Sequence, residues 1–539
     1  MLRGLMMDEP LLISSLIEHA ARNHADTEVV SRTIEGDIHR YGYGECRLRA
    51  KKLAQALIRL GVKSGERVGT LAWNSYRHLE LYYGVSGTGA VVHTINPRLF
   101  VEQIVYIINH AEDQYIFFDI NLAPLVDKLA PNCPNVRAWV AMTDAQHKPA
   151  CAAKPLLVYE DLLAPENGDY DWPMLDEYTA SGLCYTSGTT GNPKGVLYSQ
   201  RSSVLHALGA SQPDVFGVSA KDIVLPVVPM FHVNAWGIPY FGVMNGVKLV
   251  FPGAALDAKS LYELFEAERV TLTAGVPTVW LSLLTYMKQN GLRFSTLKRA
   301  VVGGSALPPV MIKEFESFGV EAQHAWGMTE MSPLGTFNTL KAKNLALPEE
   351  ERFVLRQKQG RNIFGVAMKI VDGEGKALPH DGKAFGDLLV RGHWVTKGYF
   401  KDEGGSPLRD GWFPTGDVAT IDADGFMSIT DRSKDVIKSG GEWISSIDLE
   451  NVAIAHPDVA EAAVIAAHHE KWGERPLLIV VLKPGAQMTS EQMLKYFEGK
   501  VAKWWIPDGV VFATELPHTA TGKLLKTKLR ETYGRPEWS

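Results

Sequence analysis

The stretch Tyr185-Thr186-Ser187-Gly188-Thr189-Thr190-Gly191-Asn192-Pro193-Lys194-Gly195, entered from the apolar pair Leu183-Cys184, is the densest chemical signal in the sequence. Its glycines let backbone amides turn toward an anion, its hydroxyls add donors and Lys194 adds a positive charge, which is the equipment of a phosphate-binding loop. It is not a Walker A loop: that motif closes on Gly-Lys-Ser/Thr, whereas here Pro193 precedes Lys194 and Gly195 follows it. A second stretch, Ala325-Trp326-Gly327-Met328-Thr329-Glu330, sets an aromatic face, a close-approach glycine, a hydroxyl and a carboxylate within six residues. Trp326 could stack on a purine, Thr329 could contact a phosphate and Glu330 could hold Mg²⁺ beside it. Thr415-Gly416-Asp417 offers a third group, a carboxylate after a turn, suited to accepting from ribose hydroxyls. Taken singly, a Trp before a Gly is more often packing, and Thr-Gly-Asp more often a turn.

These residues need elements to carry them. Leu12, Leu16, Ile17, Ala20 and Ala21 recur at helical spacing, as does the segment from Arg47 to Leu60 before Gly61. Arg67 to Ala72, Tyr115 to Phe118, Lys248 to Phe251 and Ala300 to Val302 read as strands, with helical segments such as Leu261 to Ala267 and Pro277 to Met287 between them. Strands alternating with helices predict a largely parallel sheet covered on both faces. After about Gly360 the texture changes to short strands and tight turns, predicting a small β-rich unit. Beyond Asp435, a helix from Ser446 to Ala455 and strands at 462–466 and 477–482 predict a separate α+β domain. Pro348-Glu349-Glu350-Glu351-Arg352 reads as a solvated surface segment.

At 539 residues the chain is too long for one core, and 55 Lys and Arg against 61 Asp and Glu, a net charge of -6, argues against a chain that wraps nucleic acid. The 46% hydrophobic content suits large cores. Cys46, Cys133, Cys151 and Cys184 are too far apart for a disulfide scaffold or a zinc module. Asp8, Glu9 and Pro10 interrupt the N-terminus before any signal-like apolar run, and no stretch approaches the roughly 18–20 apolar residues of a membrane-spanning helix. The expectation is a cytoplasmic protein without a membrane span. There is no G-x-S-x-G elbow and no G-x-G-x-x-G fingerprint, which removes the α/β-hydrolase and dinucleotide readings.

Taken in order, the chemical segments resemble the adenylate-forming superfamily of acyl-CoA synthetases, luciferases and nonribosomal adenylation domains, and the likeness spans nearly the whole chain. It extends to Asp431-Arg432-Ser433-Lys434-Asp435-Val436-Ile437-Lys438-Ser439-Gly440-Gly441-Glu442-Trp443-Ile444-Ser445 and to Thr519-Ala520-Thr521-Gly522-Lys523. Pro229-Met230-Phe231-His232-Val233-Asn234-Ala235-Trp236 and Ser439 to Ser445 resemble the fatty-acyl-CoA synthetase branch, in texture the medium- and long-chain fatty acid ligases and the 3-methylmercaptopropionate-CoA ligases. Ala325-Trp326 stands where many fatty-acyl ligases carry Gly-Tyr, a departure shared with the methylmercaptopropionate type.

The resemblance implies a large N-terminal domain, residues 1–433, of two α/β sheet subdomains and a small β-barrel-like subdomain. A small mobile α+β domain, residues 434–539, would follow, with its hinge at Lys434. It implies two half-reactions: a carboxylate attacks the α-phosphorus of ATP to give acyl-AMP and pyrophosphate, then the CoA thiol displaces AMP. In the first, Lys523 would bridge carboxylate and phosphate oxygens. Glu330, with Thr186, would bind Mg²⁺, and Thr186, Ser187, Gly188, Thr189, Thr190, Gly191 and Lys194 would hold the phosphates. Asp417 and Arg432 would hold the ribose. Gly303, Gly304, Ser305 and Ala325 to Thr329 would surround the adenine and its border with the acyl tunnel. His232, Trp236, Gly303 and Gly327 would line the acyl pocket, with His232 positioning the carboxylate and Trp236 closing the tunnel. Rotation at Lys434 would bring Lys438, Gly440, Gly441, Glu442 and Trp443 to the CoA side. The acid would be a short- or medium-chain aliphatic or thioether acid such as 3-methylmercaptopropionate, or a longer fatty acid, and a homodimer is expected by analogy. The alternatives are a carrier-protein thiol or oxygen as acceptor, or a catalytically silent acyl-nucleotide binding protein.

Overall fold

The structure is a computed structural model that describes residues 2–186, 192–402, 404–432, 435–439, 442–518 and 524–536, with Glu442 and Trp443 described by backbone only. Its parallel heart consists of strands Lys248–Phe251, Ile223–Pro226, Leu272–Gly275, Arg299–Val302 and Glu321–Gly327, neighbours in that order. The first four are short, mostly apolar runs and all five are largely buried, as a parallel sheet covered by helices requires, while Glu321–Gly327 also carries Gln323 and His324 inside. Helices Ala258–Ala267, Pro277–Gln289 and Pro309–Ser317 connect them. On one side Glu28–Arg32 adds parallel to Lys248–Phe251, and Ile38–Gly42 closes that edge antiparallel.

On the other side the sheet changes character. Glu321–Gly327 pairs parallel with Arg299–Val302 but antiparallel with Leu334–Phe337. From there Gly360–Asn362, Phe426–Arg432, Phe413–Ile421, Phe385–Gly392 and Val366–Val371 continue antiparallel, giving 13 strands in one path. This block is the small β-rich unit, joined edge to edge to the α/β sheet. The Pro348–Arg352 run proves to be the start of a helix, Glu349–Arg356, with no buried residue.

A second sheet of seven strands is parallel except at its edge, where Ala180–Tyr185 and Gly195–Ser199 run antiparallel. The segment 186–194 therefore joins the two arms of a hairpin. The third sheet, of five strands, holds Ile437–Ser439, Glu442–Ile444, Gly473–Leu482, Val459–His469 and Gly509–Phe512. One face buries Ile437, Ile444, Leu449, Val464, Leu478 and Phe497, and the other Ile465, Leu477, Ile479 and Leu529, so it has its own cores. All four cysteines are free thiols, and no described helix is long and apolar enough to cross a membrane.

Candidate active site

Parallel strands deliver their carboxyl ends to one rim, and in open α/β sheets that rim binds ligands, above all where the topology switches. Gly303-Gly304-Ser305 follow Arg299–Val302, Ala325-Trp326-Gly327 end Glu321–Gly327 at the parallel-to-antiparallel switch, and Pro229 to Trp236 follow Ile223–Pro226. The switch is tight. A Cβ on Gly327 would fall 1.9 Å from the Pro333 carbonyl oxygen, so only glycine fits where the strand bulges between Trp326 and Gly327.

Thr186 and Lys194, at the two ends of the segment expected to bind phosphate, are tied together: Thr186 N–H donates to the Lys194 carbonyl at 2.9 Å, and Lys194 N–H to Thr186 Oγ1 at 3.4 Å. From the second arm, Tyr198 O–H donates to the Thr329 carbonyl at 2.7 Å, joining hairpin to switch. Glu330 follows on a short 3-10 turn, 8% exposed, and Tyr399 O–H donates to its Oε1 at 2.9 Å. The Lys194 ammonium lies 4.9 Å from the centroid of the same Tyr399 ring. Burial, then the Glu330 charge, push the Tyr399 hydroxyl pKa up, so it stays a donor. Lys194, Tyr399 and Glu330 thus form a stack of cation, ring and carboxylate, positive side outward.

Asp417 and Arg432 face each other across the antiparallel pair Phe413–Ile421 and Phe426–Arg432, and Arg432 Nε lies 2.8 Å from Asp417 Oδ1. Trp326 Nε1–H donates to Asp417 Oδ2 at 3.0 Å. Trp326, expected at the adenine, is 8% exposed and packs its ring over Gly335, while its indole N–H orients the Asp417 carboxylate. Ala325 and Thr329 are buried, and Met328 is partly so. Gly304 takes φ +82°, a conformation that favours glycine, while Ser305 is exposed.

In the segment expected to line an acyl pocket the backbone winds left-handed. Val233, Asn234, Ala235 and Trp236 have φ of 45°, 53°, 46° and 58°, followed by Gly237 at 83°. Non-glycine residues resist this region, and a β-branched valine most of all. The turn is held by Asn74, whose amide donates to the Pro226 and Val228 carbonyls at 2.8 and 2.9 Å and whose Oδ1 accepts from Met230 N–H at 2.6 Å. Tyr82 O–H donates to the Met230 carbonyl at 2.6 Å and to Asn234 Oδ1 at 3.0 Å. The result sets the Trp236 ring on Gly303, where an added Cβ would come 3.0 Å from it. His232, half-buried, lines a small cleft with Thr94, Asn96, Leu99, Ile107, Tyr185 and Phe231.

Lys438 is exposed on Ile437–Ser439, its N–H donating to Glu474 Oε2 at 2.7 Å. Ser187, Gly188, Thr189, Thr190, Gly191, Lys434, Gly440, Gly441 and Lys523 lie outside the described residues, as do the side chains of Glu442 and Trp443. Sequence reasoning missed Tyr198, Tyr399, Asn74 and Tyr82. Each acts at long range; Tyr399 meets Glu330 across 69 residues, and only its place after Gly398 hints at a turn. Among the described residues there is no group of three or more His, Cys, Asp and Glu placed to hold a metal.

Residues 17–400 match the model of the family described as AMP-binding enzyme, and residues 448–523 that of the AMP-binding enzyme C-terminal domain. The medium-chain-fatty-acid–CoA ligase of Ectopseudomonas oleovorans is 54% identical over 532 residues, 98% of this chain and 97% of that protein. The 3-methylmercaptopropionyl-CoA ligase of Ruegeria lacuscaerulensis is 53% identical over 531 residues, 98% of each. Among solved structures, the anthranilate CoA ligase AuaEII in complex with anthranoyl-AMP superposes with a TM-score of 0.85 at 25% identity, covering 97% of this chain and 98% of that one.

Proposed function

The chain belongs to the AMP-binding enzyme family and is an AMP-forming acyl-CoA synthetase, using ATP and CoA, and from that premise we propose that its acid is a short- to medium-chain aliphatic or thioether carboxylate such as 3-methylmercaptopropionate. The observation that carries the choice of acid is Trp236 seated on Gly303 by the left-handed turn, bulk placed on the acyl side of the rim. The relatives at 54% and 53% identity, which bear the names of medium-chain and methylmercaptopropionyl ligases, support the same range. A longer fatty acid is the second reading, and would need that ring to swing away.

Each half of the reaction concentrates negative charge, and the described residues divide the work. Lys194 offers positive charge to the phosphates above Tyr399, and Tyr399 holds Glu330 in place by one hydrogen bond. Glu330 and Thr186 would hold Mg²⁺, a hard cation that keeps waters and phosphate oxygens as its other ligands and so needs no multi-carboxylate cage. Bound there it would neutralise phosphate charge. Asp417 would accept from a ribose hydroxyl, paired with Arg432 and oriented by Trp326. His232 would position the carboxylate beside the cleft it lines. Lys523 would bridge carboxylate and α-phosphate during adenylation and leave when the domain of residues 434–539 turns about Lys434, bringing Lys438, Gly440, Gly441, Glu442 and Trp443 toward CoA. A cytoplasmic homodimer completes the proposal, with light scattering as its check.

The test is AMP and pyrophosphate release across acids from acetate and propionate through 3-methylmercaptopropionate to C16, each with and without CoA. A CoA-dependent maximum at the thioether or medium-chain acids supports the assignment; a maximum at C16 replaces it with the second reading. Lys523→Ala should lose acyl-AMP formation but retain thioester formation from supplied acyl-AMP, and equal loss of both would remove Lys523 from its role.

A further inference from the structure

Three residues beyond Lys523, at most about 11 Å along the chain, the helix Lys526–Tyr533 begins, and its first side chain is turned inward. The Lys526 side chain is 11% exposed and lies 2.7 Å from Glu450 Oε1, itself on a side chain 12% exposed. It also donates to Ser446 Oγ. Ser446 and Glu450 are one turn apart on the helix Ser446–Ile454, so a single ammonium spans both.

That helix is tied in turn to the large domain. Ser446 N–H donates to Asp431 Oδ2 at 2.7 Å, and Ser445 O–H donates to the Thr430 carbonyl. Thr430 and Asp431 end the strand Phe426–Arg432, immediately before residues 433 and 434. Because side chains alternate along a strand, Asp431 serves this contact while Arg432 pairs with Asp417 at the nucleotide rim. Arg530, one turn along from Lys526, pairs with Asp435 on the far side of the same crossing. A surface helix needs none of this: an enclosed ammonium persists only where paired charges and hydrogen bonds offset its lost hydration.

We propose that Lys526 is a positioning residue for adenylation: it fastens the segment that follows Lys523 to Ser446 and Glu450, and through them to Asp431 at the domain crossing. The proposal rests on the reading of Lys523 as the adenylation lysine. It is distinct from that reading, because the Lys526 ammonium is engaged by Glu450 and Ser446 and acts through the placement of the chain.

The experiment measures the two half-reactions separately, acyl-AMP formation from acid and ATP, and thioester formation from supplied acyl-AMP and CoA. Lys526→Met leaves Glu450 without its partner, so the double variant Lys526→Met/Glu450→Gln runs alongside; it removes both charges and keeps an acceptor for the Val464 N–H that Glu450 now binds at 2.8 Å. In both, the rate of acyl-AMP formation should fall at least tenfold with the KM values for ATP and acid changed less than threefold, while thioester formation stays within threefold. Lys526→Arg should restore most of the adenylation rate. Equal loss of both half-reactions, no loss in the folded double variant, or no rescue by arginine would overturn the proposal. Lys523→Ala measured in the same way separates the failures: spared adenylation there overturns the reading of Lys523 and this proposal with it, whereas lost adenylation there beside an unchanged double variant overturns this proposal alone.

Discussion

Asp417 is 2% exposed and is approached from two directions: the Trp326 indole N–H donates to its Oδ2 at 3.0 Å, and the Arg432 guanidinium forms an ion pair with its Oδ1 at 2.8 Å. A buried carboxylate without such partners would favour its neutral form. One side chain therefore links the residue proposed at the adenine to the one proposed at the ribose, and on that proposal Trp326 acts through its N–H as well as its ring. Trp326→Phe keeps an aromatic ring and deletes the donor. A hydrogen bond to a charged group contributes about 1.5–3 kcal/mol, so the KM for ATP should rise roughly tenfold or more, with kcat less affected. Steady-state kinetics over an ATP series checks this, and an unchanged KM would mean that the indole N–H does not serve the nucleotide.

Among the elements, the left-handed turn at Val233 to Trp236 is the most strained. Each non-glycine residue there costs roughly 1–2 kcal/mol, and the turn persists because Asn74 and Tyr82 hold it through five hydrogen bonds to carbonyls, an N–H and the Asn234 side chain. Strain stored beside a site is characteristic of segments that orient a functional side chain. Tyr82→Phe removes two of those bonds and should lower unfolding free energy by about 1–3 kcal/mol, read from urea denaturation at constant m. Trp236→Ala instead leaves the turn intact and removes the ring above Gly303. It should extend turnover to longer acids in the chain-length panel; an unaltered acid profile would show that the ring does not limit the pocket.

At the scale of the whole molecule, buried histidines oppose protonation of the folded chain. Burial depresses His78 to about 4, His206 to about 3 and His324 to about 4. His206 shows why: its Nε2 accepts from Leu334 N–H at 3.3 Å, so a proton there would set donor against donor. Above pH 6.5 these groups are neutral folded or unfolded and contribute nothing; below it the unfolded chain takes protons that the folded chain refuses, so stability falls as pH drops from 6.5 toward 4. Each such proton is worth about 1.4 kcal/mol per pH unit. Asp119, pushed up to about 7 by burial, works the other way, since the folded state keeps a proton that the unfolded state releases above about 4. Other buried carboxylates, Glu80, Asp113 and Glu450 among them, are raised in the same direction as Asp119, so the test is differential. As pH falls from 6.5 to 4.5, the unfolding free energy of His206→Gln should gain on that of the unmodified protein by about 1.4 kcal/mol per pH unit, one proton's share. Urea denaturation at both pH values reads this, and a pH-independent difference would remove His206 from this role.

The sequence by itself determined the parallel strands, the change of texture after Gly360, the final α+β unit and the stretches where residue types suited to a nucleotide stand side by side. It could do so because apolar periodicity and contiguous runs of hydroxyls, glycines and a lysine are local properties: backbone amides that cradle one phosphate must be neighbours in the chain. It also located Gly327, whose lack of a side chain the Pro333 carbonyl requires. Tertiary structure alone decided which distant groups hold those segments still. Tyr399 reaches Glu330 across 69 residues, Tyr198 reaches Thr329 across 131, Tyr82 reaches Met230 across 148 and Lys526 reaches Ser446 across 80. A tyrosine or a lysine has the same local pattern whether it is a satisfied core residue, a surface charge or a brace, because what distinguishes these roles is the partner that folding brings to it.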